Sequence, residues 1–96
     1  MLEALITSKT RLKLLVKFFL NHNSSSYLRG LEDELKESTN SIRIELNRFE
    51  KAGFLNSYFS GNKKLFRANT NHPLFTDIQN IVKKMVGIEY VLDYTL

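Results

Sequence analysis

The chain has 96 residues, 43% hydrophobic and 25% charged, with a formal net charge of +4 and an isoelectric point of about 9.5. This suits one small domain with a real core and excludes a chain disordered by composition. With no cysteine, disulfides, thiolate metal sites and cysteine nucleophiles are ruled out.

The basic balance permits a nucleic acid or an acidic surface as partner without demonstrating either. It is uneven. Lys9, Arg11, Lys13 and Lys17 face only Glu3 in the first quarter, whereas Lys83 and Lys84 meet Asp77, Glu89 and Asp93 in the last. No apolar run approaches the roughly 20 residues of a membrane span. Lys13 and Lys17 interrupt the N-terminal apolar stretch, and no small-residue cleavage site follows. A cytoplasmic protein is expected. A single domain is expected over residues 1–96, its core at about 8–86 and a tail at 87–96.

The first helix is expected from about Ser8, a capping residue, to Leu20. Leu12, Leu15, Val16 and Phe19 make one apolar face, widened by Leu14 and Phe18, and Lys9, Lys13 and Lys17 line another. Asn21 to Tyr27 reads as a loop. A second helix is expected from about Tyr27 to Lys36, capped by Ser25 or Ser26, with Leu28, Leu31 and Leu35 inward and Glu32, Asp33 and Glu34 outward. Gly30 weakens it by about 1 kcal/mol relative to alanine and suggests a close neighbouring helix. The third helix begins at Ser38 or Thr39, buries Ile42, Leu46 and Phe49 with Ala52 giving close packing, and ends at Gly53 in a left-handed conformation. Asn40, Ser41, Arg43, Ile44, Asn47 and Arg48 are left on its outer face.

Two period-two runs follow, Leu55 to Ser60 and Leu65 to Ala68, with Gly61-Asn62 at the turn. A fourth helix carries Pro73 in its first turn and a stripe of Phe75, Ile78, Ile81, Val82 and Met85, and Gly87 ends it. The final "IEYVLDYTL" is open to strand or helix, and is too apolar to sit free in water.

Three helices, a hairpin and a further helix make a mainly α winged helix–turn–helix with a two-stranded wing. A DNA major groove, about 12 Å wide, accepts one helix. The third helix has a face to bury and a face of arms: Thr39, Asn40, Ser41, Arg43, Ile44, Asn47 and Arg48 are the expected groove residues. Arginine bonds guanine bidentately, an asparagine amide pairs with adenine, and Ile44 can rest on a thymine methyl. Asn62, Lys63, Lys64 and Arg67 form a basic hairpin suited to phosphate or the minor groove. Arg43 and Arg48 are alternatively ion-paired to Glu45 or Glu50, and Lys63 and Lys64 alternatively plain turn residues.

No enzyme is expected. His22 and His72 sit at loop positions, and no HExxH, GxSxG or GKS/GKT motif occurs. The acid cluster "LEDELKE" lies on an exposed helix, which offers no cleft for a catalytic carboxylate pair. Asp33 and Glu37 read as a solvated face rather than metal ligands. No cofactor and no metal are expected.

Residues Glu37 to Phe75, "ESTNSIRIELNRFEKAGFLNSYFSGNKKLFRANTNHPLF", resemble the ArsR-like winged helix–turn–helix regulators. They are most similar to a bacterial subgroup whose hairpin runs into Asn-x-x-His-Pro-Leu-Phe, here Asn69 to Phe75. The likeness covers about Leu12 to Met85. It implies a dimeric transcriptional regulator that pairs through its first and last helices. By position it assigns Asn40, Ser41, Arg43, Ile44 and Asn47 to the groove-facing helix and Lys63 and Lys64 to the wing tip. The lack of cysteine departs from the metal-sensing members.

The expected function is therefore sequence-specific binding of double-stranded DNA by a homodimer that reads half-sites about one helical turn apart. The alternative is a winged-helix module that docks a protein partner. A ligand-gated version would need a pocket between subunits, for which Phe18, Phe19, Tyr90 and Tyr94 are candidates.

Overall fold

Ser8 starts the first helix by accepting a hydrogen bond on its Oγ from the backbone N–H of Arg11 at 3.1 Å. The computed structural model describes residues 8–95, and their side chains as far as Val86. The order is α1 (Lys9–Leu20), β1 (Ser26–Tyr27), α2 (Leu28–Leu35), α3 (Thr39–Lys51), β2 (Leu55–Ser60), β3 (Lys63–Ala68) and α4 (Phe75–Thr95). The protein is thus mainly helical, with a three-stranded antiparallel sheet in the order β1-β3-β2. Among the described residues, no helix is long and apolar enough to cross a membrane.

Helix α1 is central, but its buried arc is centred elsewhere than expected. Leu14, Phe18 and Phe19 are fully buried, whereas Leu12, Leu15 and Val16 are only half-buried. Helices α3 and α4 both pack on α1, so burial wraps around it and periodicity cannot choose the centre of the arc. Phe18 and Phe19 belong to this core, not to a pocket between subunits. The side chains of Tyr90 and Tyr94 lie outside the described residues. Each large core side chain contributes about 1.5–3 kcal/mol of burial.

The lysine face of α1 also has an internal use. Lys13 Nζ donates to the Leu35 carbonyl at 2.8 Å and pairs with Glu37 at 3.0 Å. Lys17 pairs with Glu34 at 2.9 Å. These contacts tie α1 to the end of α2, where Lys36 turns the chain at φ 57°.

Neither Ser25 nor Ser26 caps α2. Its N-cap is Tyr27, which makes no side-chain cap hydrogen bond. Ser26 and Tyr27 instead form β1, paired with Phe66 and Leu65 of β3. Two residues give no periodic signal, so this strand exists only through long-range pairing. Gly30 accommodates the Tyr27 ring, which would stand 3.4 Å from an added Cβ, rather than a neighbouring helix.

Helix α3 starts at the Ser38 cap, whose Oγ accepts from the Ser41 N–H at 3.2 Å. Ile42 and Leu46 are buried and Phe49 half-buried, but Ala52 is exposed at the C-cap. The helix ends as its glycine requires. Gly53 takes φ 83°, its N–H donates to the Glu50 carbonyl at 3.0 Å, and the Phe54 N–H reaches back to Phe49 at 2.9 Å. This is a Schellman ending, open to a residue without a Cβ penalty.

The hairpin matches the alternation. Leu55 pairs with Ala68 through to Ser60 with Lys63. Gly61 adopts φ 62°, the positive φ that a two-residue hairpin turn asks of its first central residue. A clasp then closes the hairpin on α3. The Asn69 N–H donates to Phe54 O at 2.9 Å and its Nδ2 to Gly53 O at 2.8 Å. The His72 ring stacks on Phe54 at 4.2 Å, and its Nδ1 accepts from the Leu74 N–H at 3.0 Å.

Pro73 lies in the turn that precedes α4 rather than in its first helical turn, and Phe75 donates back to the His72 carbonyl at 3.0 Å. Along α4, Phe75, Val82 and Met85 are buried, but Ile81 is 51% exposed. The helix does not stop at Gly87. It runs on to Thr95, so the tail is helical. One glycine costs only about 1 kcal/mol, which does not by itself end a helix.

Candidate nucleic-acid interface

Helix α3 and the hairpin meet in an open cleft of about 590 Å³. Arg43, Leu46 and Asn47 come from α3, Asn62, Lys63, Lys64 and Phe66 from the hairpin, and Tyr27, Leu28 and Arg29 from β1 and the start of α2. Four cations line it and no carboxylate does. Glu34 of α2 and Glu37 just after it pair with Lys17 and Lys13 of α1, and neither Glu32 nor Asp33 lines the cleft.

The expected site residues divide into groups. Arg43, Asn47, Asn62, Lys63 and Lys64 are brought together. Asn40 is exposed in the first turn of α3 and Thr39 is half-buried there. The hydroxyl of Ser41 is held at 2.8 Å by the capping Ser38. Ile44, 43% exposed, and Arg48 stand on the neighbouring stripe. Arg67 is separate. It shares a face of β3 with Lys63 but sits at the other end of the strand, where it lines another cleft with His22, Asn23, Asn56 and Asn71. Alternation does not divide the two, since Lys63 and Arg67 fall on one face; their separation along the strand, about 13 Å for four residues, does.

Two expected contacts have partners within the protein. Arg48 Nη1 lies 3.2 Å from Glu45 Oε1. Lys64 Nζ lies 3.3 Å from Glu50 Oε1 and 5.3 Å from the centre of the Phe66 ring. Arg29, Arg43 and Lys63 make no ion pair among the described residues. Lys63 rests 4.1 Å above the Tyr27 ring, a contact that orients the ammonium without cancelling its charge.

Behind the cleft, α3 is fixed by charge. Glu45 is only 5% exposed. Its Oε2 accepts from Arg11 Nε at 2.8 Å and its Oε1 from Arg11 Nη2 at 3.2 Å. The hydrogen bond from Arg11 to Glu45, and then their opposite charges, hold the guanidinium pKa above its ordinary value against the pull of burial. Glu50 joins α3 to the hairpin by accepting from the Ser57 hydroxyl and from Lys64. The Ser57 hydrogen bond and then Lys64 hold its carboxyl below the usual range, against a smaller opposing effect of burial.

Two contributors were not among the expected site residues. Arg29 stands beside Leu28 on α2, one position off the leucine stripe, and that offset is the sequence signal for an outward cation. Tyr27 had none, because its place depends on the β1 pairing. The start of α2, whose N-cap Tyr27 makes no side-chain cap hydrogen bond, lines the same cleft.

Neither protein-family profiles nor curated proteins match this chain. Its fold is similar to the crystal structure of AF1382 from Archaeoglobus fulgidus, with a TM-score of 0.66 over 94% of each chain and 14% sequence identity. Such a likeness speaks to the fold alone. Among the described residues, no group of three or more His, Asp or Glu is gathered as metal ligands would be.

Proposed function

We propose that this protein is a winged helix–turn–helix regulator of the ArsR-like kind that binds double-stranded DNA. In this reading α3 enters the major groove, Arg43 and Asn47 meet base edges, and the β2–β3 hairpin is the wing. One observation carries it: the cleft between α3 and the hairpin is lined by Arg29, Arg43, Lys63 and Lys64 without a carboxylate. A phosphodiester strand between the two grooves is the ligand such a cleft suits. Arg29 adds a further phosphate donor.

The regulator acts as a cytoplasmic homodimer. Half-buried Leu12, Leu15 and Val16 on α1, together with Leu74 and Ile81 at 50% and 51% exposure, supply apolar surface for pairing. Selection of duplexes from a random pool at about 150 mM salt tests the reading. Enrichment of an inverted repeat is expected, with affinity falling steeply between about 50 and 200 mM salt. A folded protein that enriches nothing overturns it. The second reading, a module that docks a protein partner, draws on the same exposed Leu74 and Ile81. It expects binding that hardly responds to salt.

A further inference from the structure

We propose that Phe59 is an apolar wedge that enters the minor groove of bound DNA beside the hairpin tip and partly unstacks a base step. This rests on the DNA-binding reading above. It adds a contact that neither sequence periodicity nor charge assigns.

Phe59 is 73% exposed, against 51% for Ile81, the next most exposed large hydrophobic among the described residues. Its place in the alternation predicts the reverse. Leu55, Phe66 and Ala68 share its face of the sheet and are buried. The residue across from it is Lys64, whose aliphatic stem would ordinarily cover such a ring. Here the Lys64 ammonium is held by Glu50 at 3.3 Å and lies over Phe66. The Glu50 contact therefore directs the natural cover of Phe59 toward α3.

The chemistry around the ring selects its occupant. Phe59 stands two residues before Gly61, where an added Cβ would meet nothing within 4 Å. Asn62, Lys63 and Lys64 follow at once. A polyanion drawn to that tip brings its own apolar surface, the sugar and base edges, to the ring. The minor groove is about 6 Å wide and about 7.5 Å deep, and two residues of strand span about 7 Å. A tip in that groove thus carries Phe59 with it. Apolar side chains placed this way unstack a step and kink the duplex by about 20–90°. A second copy is the competing occupant, since β2 is an edge strand.

The test compares wild type, Phe59→Ala and Phe59→Leu on a duplex recovered by the selection above, carrying 2-aminopurine near the wing position. Wild type should bend the duplex and raise the 2-aminopurine signal. Phe59→Ala should bind about tenfold more weakly, within the range of base–aromatic contacts. It should lose the bend and the signal, yet keep its unfolding midpoint and salt slope. Phe59→Leu should restore much of both. Unchanged affinity and bend in Phe59→Ala overturns the wedge while leaving DNA binding intact. Loss of self-association with unchanged DNA bending assigns the ring to a second copy and also overturns it. If wild type binds no duplex at all, the DNA reading itself falls, and the wedge with it.

Discussion

The α1–α3 seam and the rim of the cleft are built from the same kinds of charged side chain, put to opposite uses. In the seam, Glu45 is shared between Arg11 and Arg48, and its burial makes the pairing part of the core. At the rim, Arg29, Arg43 and Lys63 stand without a carboxylate. The difference shows why a net charge of +4 is a poor guide to function. Arg11, Lys13, Lys17, Arg48 and Lys64 are paired within the fold. Arg29, Arg43 and Lys63, without an ion pair among the described residues, are gathered at one place.

The contrast predicts that seam substitutions change stability and rim substitutions change binding. The largest effect is expected from Phe18→Ala, which empties a fully buried site and should cost about 3–5 kcal/mol in urea unfolding. Glu45→Ala should cost about 2 kcal/mol by the same measurement. Breaking a fully buried pair costs about 3–5 kcal/mol, but Arg11 is 34% exposed and regains water. Arg43→Ala should leave the unfolding midpoint unchanged and relax base preference at one position by about 1–2 kcal/mol in competitive DNA binding. A loss of stability there would erase the contrast.

The smallest effect concerns Glu50, which bridges the two regions. Its carboxyl pKa is lower in the folded protein than its ordinary value. The stability it adds is therefore fully present above the ordinary carboxylate range and is lost as pH falls through the lower, folded-state value. Unfolding midpoints followed from neutral pH downward should show Glu50→Gln with a shallower acid-side decline than wild type. An identical decline would remove Glu50 as a pH-sensitive link.

Much of this arrangement was legible in local sequence. Ser38, Gly53, and the Gly61-Asn62 turn act through their own backbone, so their signals survive without tertiary context. The leucines and isoleucines of α2 and α3 follow helical spacing for the same reason. What failed depended on neighbours distant in the chain. Ser26 and Tyr27 form a strand only because β3 comes alongside. The buried arc of α1 is set by α3 and α4 packing on it, and α4 passes Gly87 because a single glycine carries only a small propensity cost. Of the candidate site, Arg43, Asn47, Asn62, Lys63 and Lys64 could be found from face and charge, although Lys63 and Lys64 lie in β3 rather than in the turn. Arg67 was misgrouped because charge was counted without its distance from the hairpin tip along β3. Glu45 falls on the buried stripe between Ile42 and Phe49 and is a legible partner for Arg48, but its pairing with Arg11, 34 positions earlier, had no local signal.

The hairpin is also a ruler. Its base is held to α3 by the Asn69 contacts with Gly53 and Phe54, its middle by Glu50 with Ser57 and Lys64, and its flank by β1. With those points fixed, the number of residues beyond them sets how far the tip stands from α3. Two residues added to each strand would lengthen it by about 7 Å and keep every side chain on its face. One would turn Phe59 and Lys64 to the other side. Length and parity at this turn therefore encode reach and orientation separately, and either can be reset without touching the core.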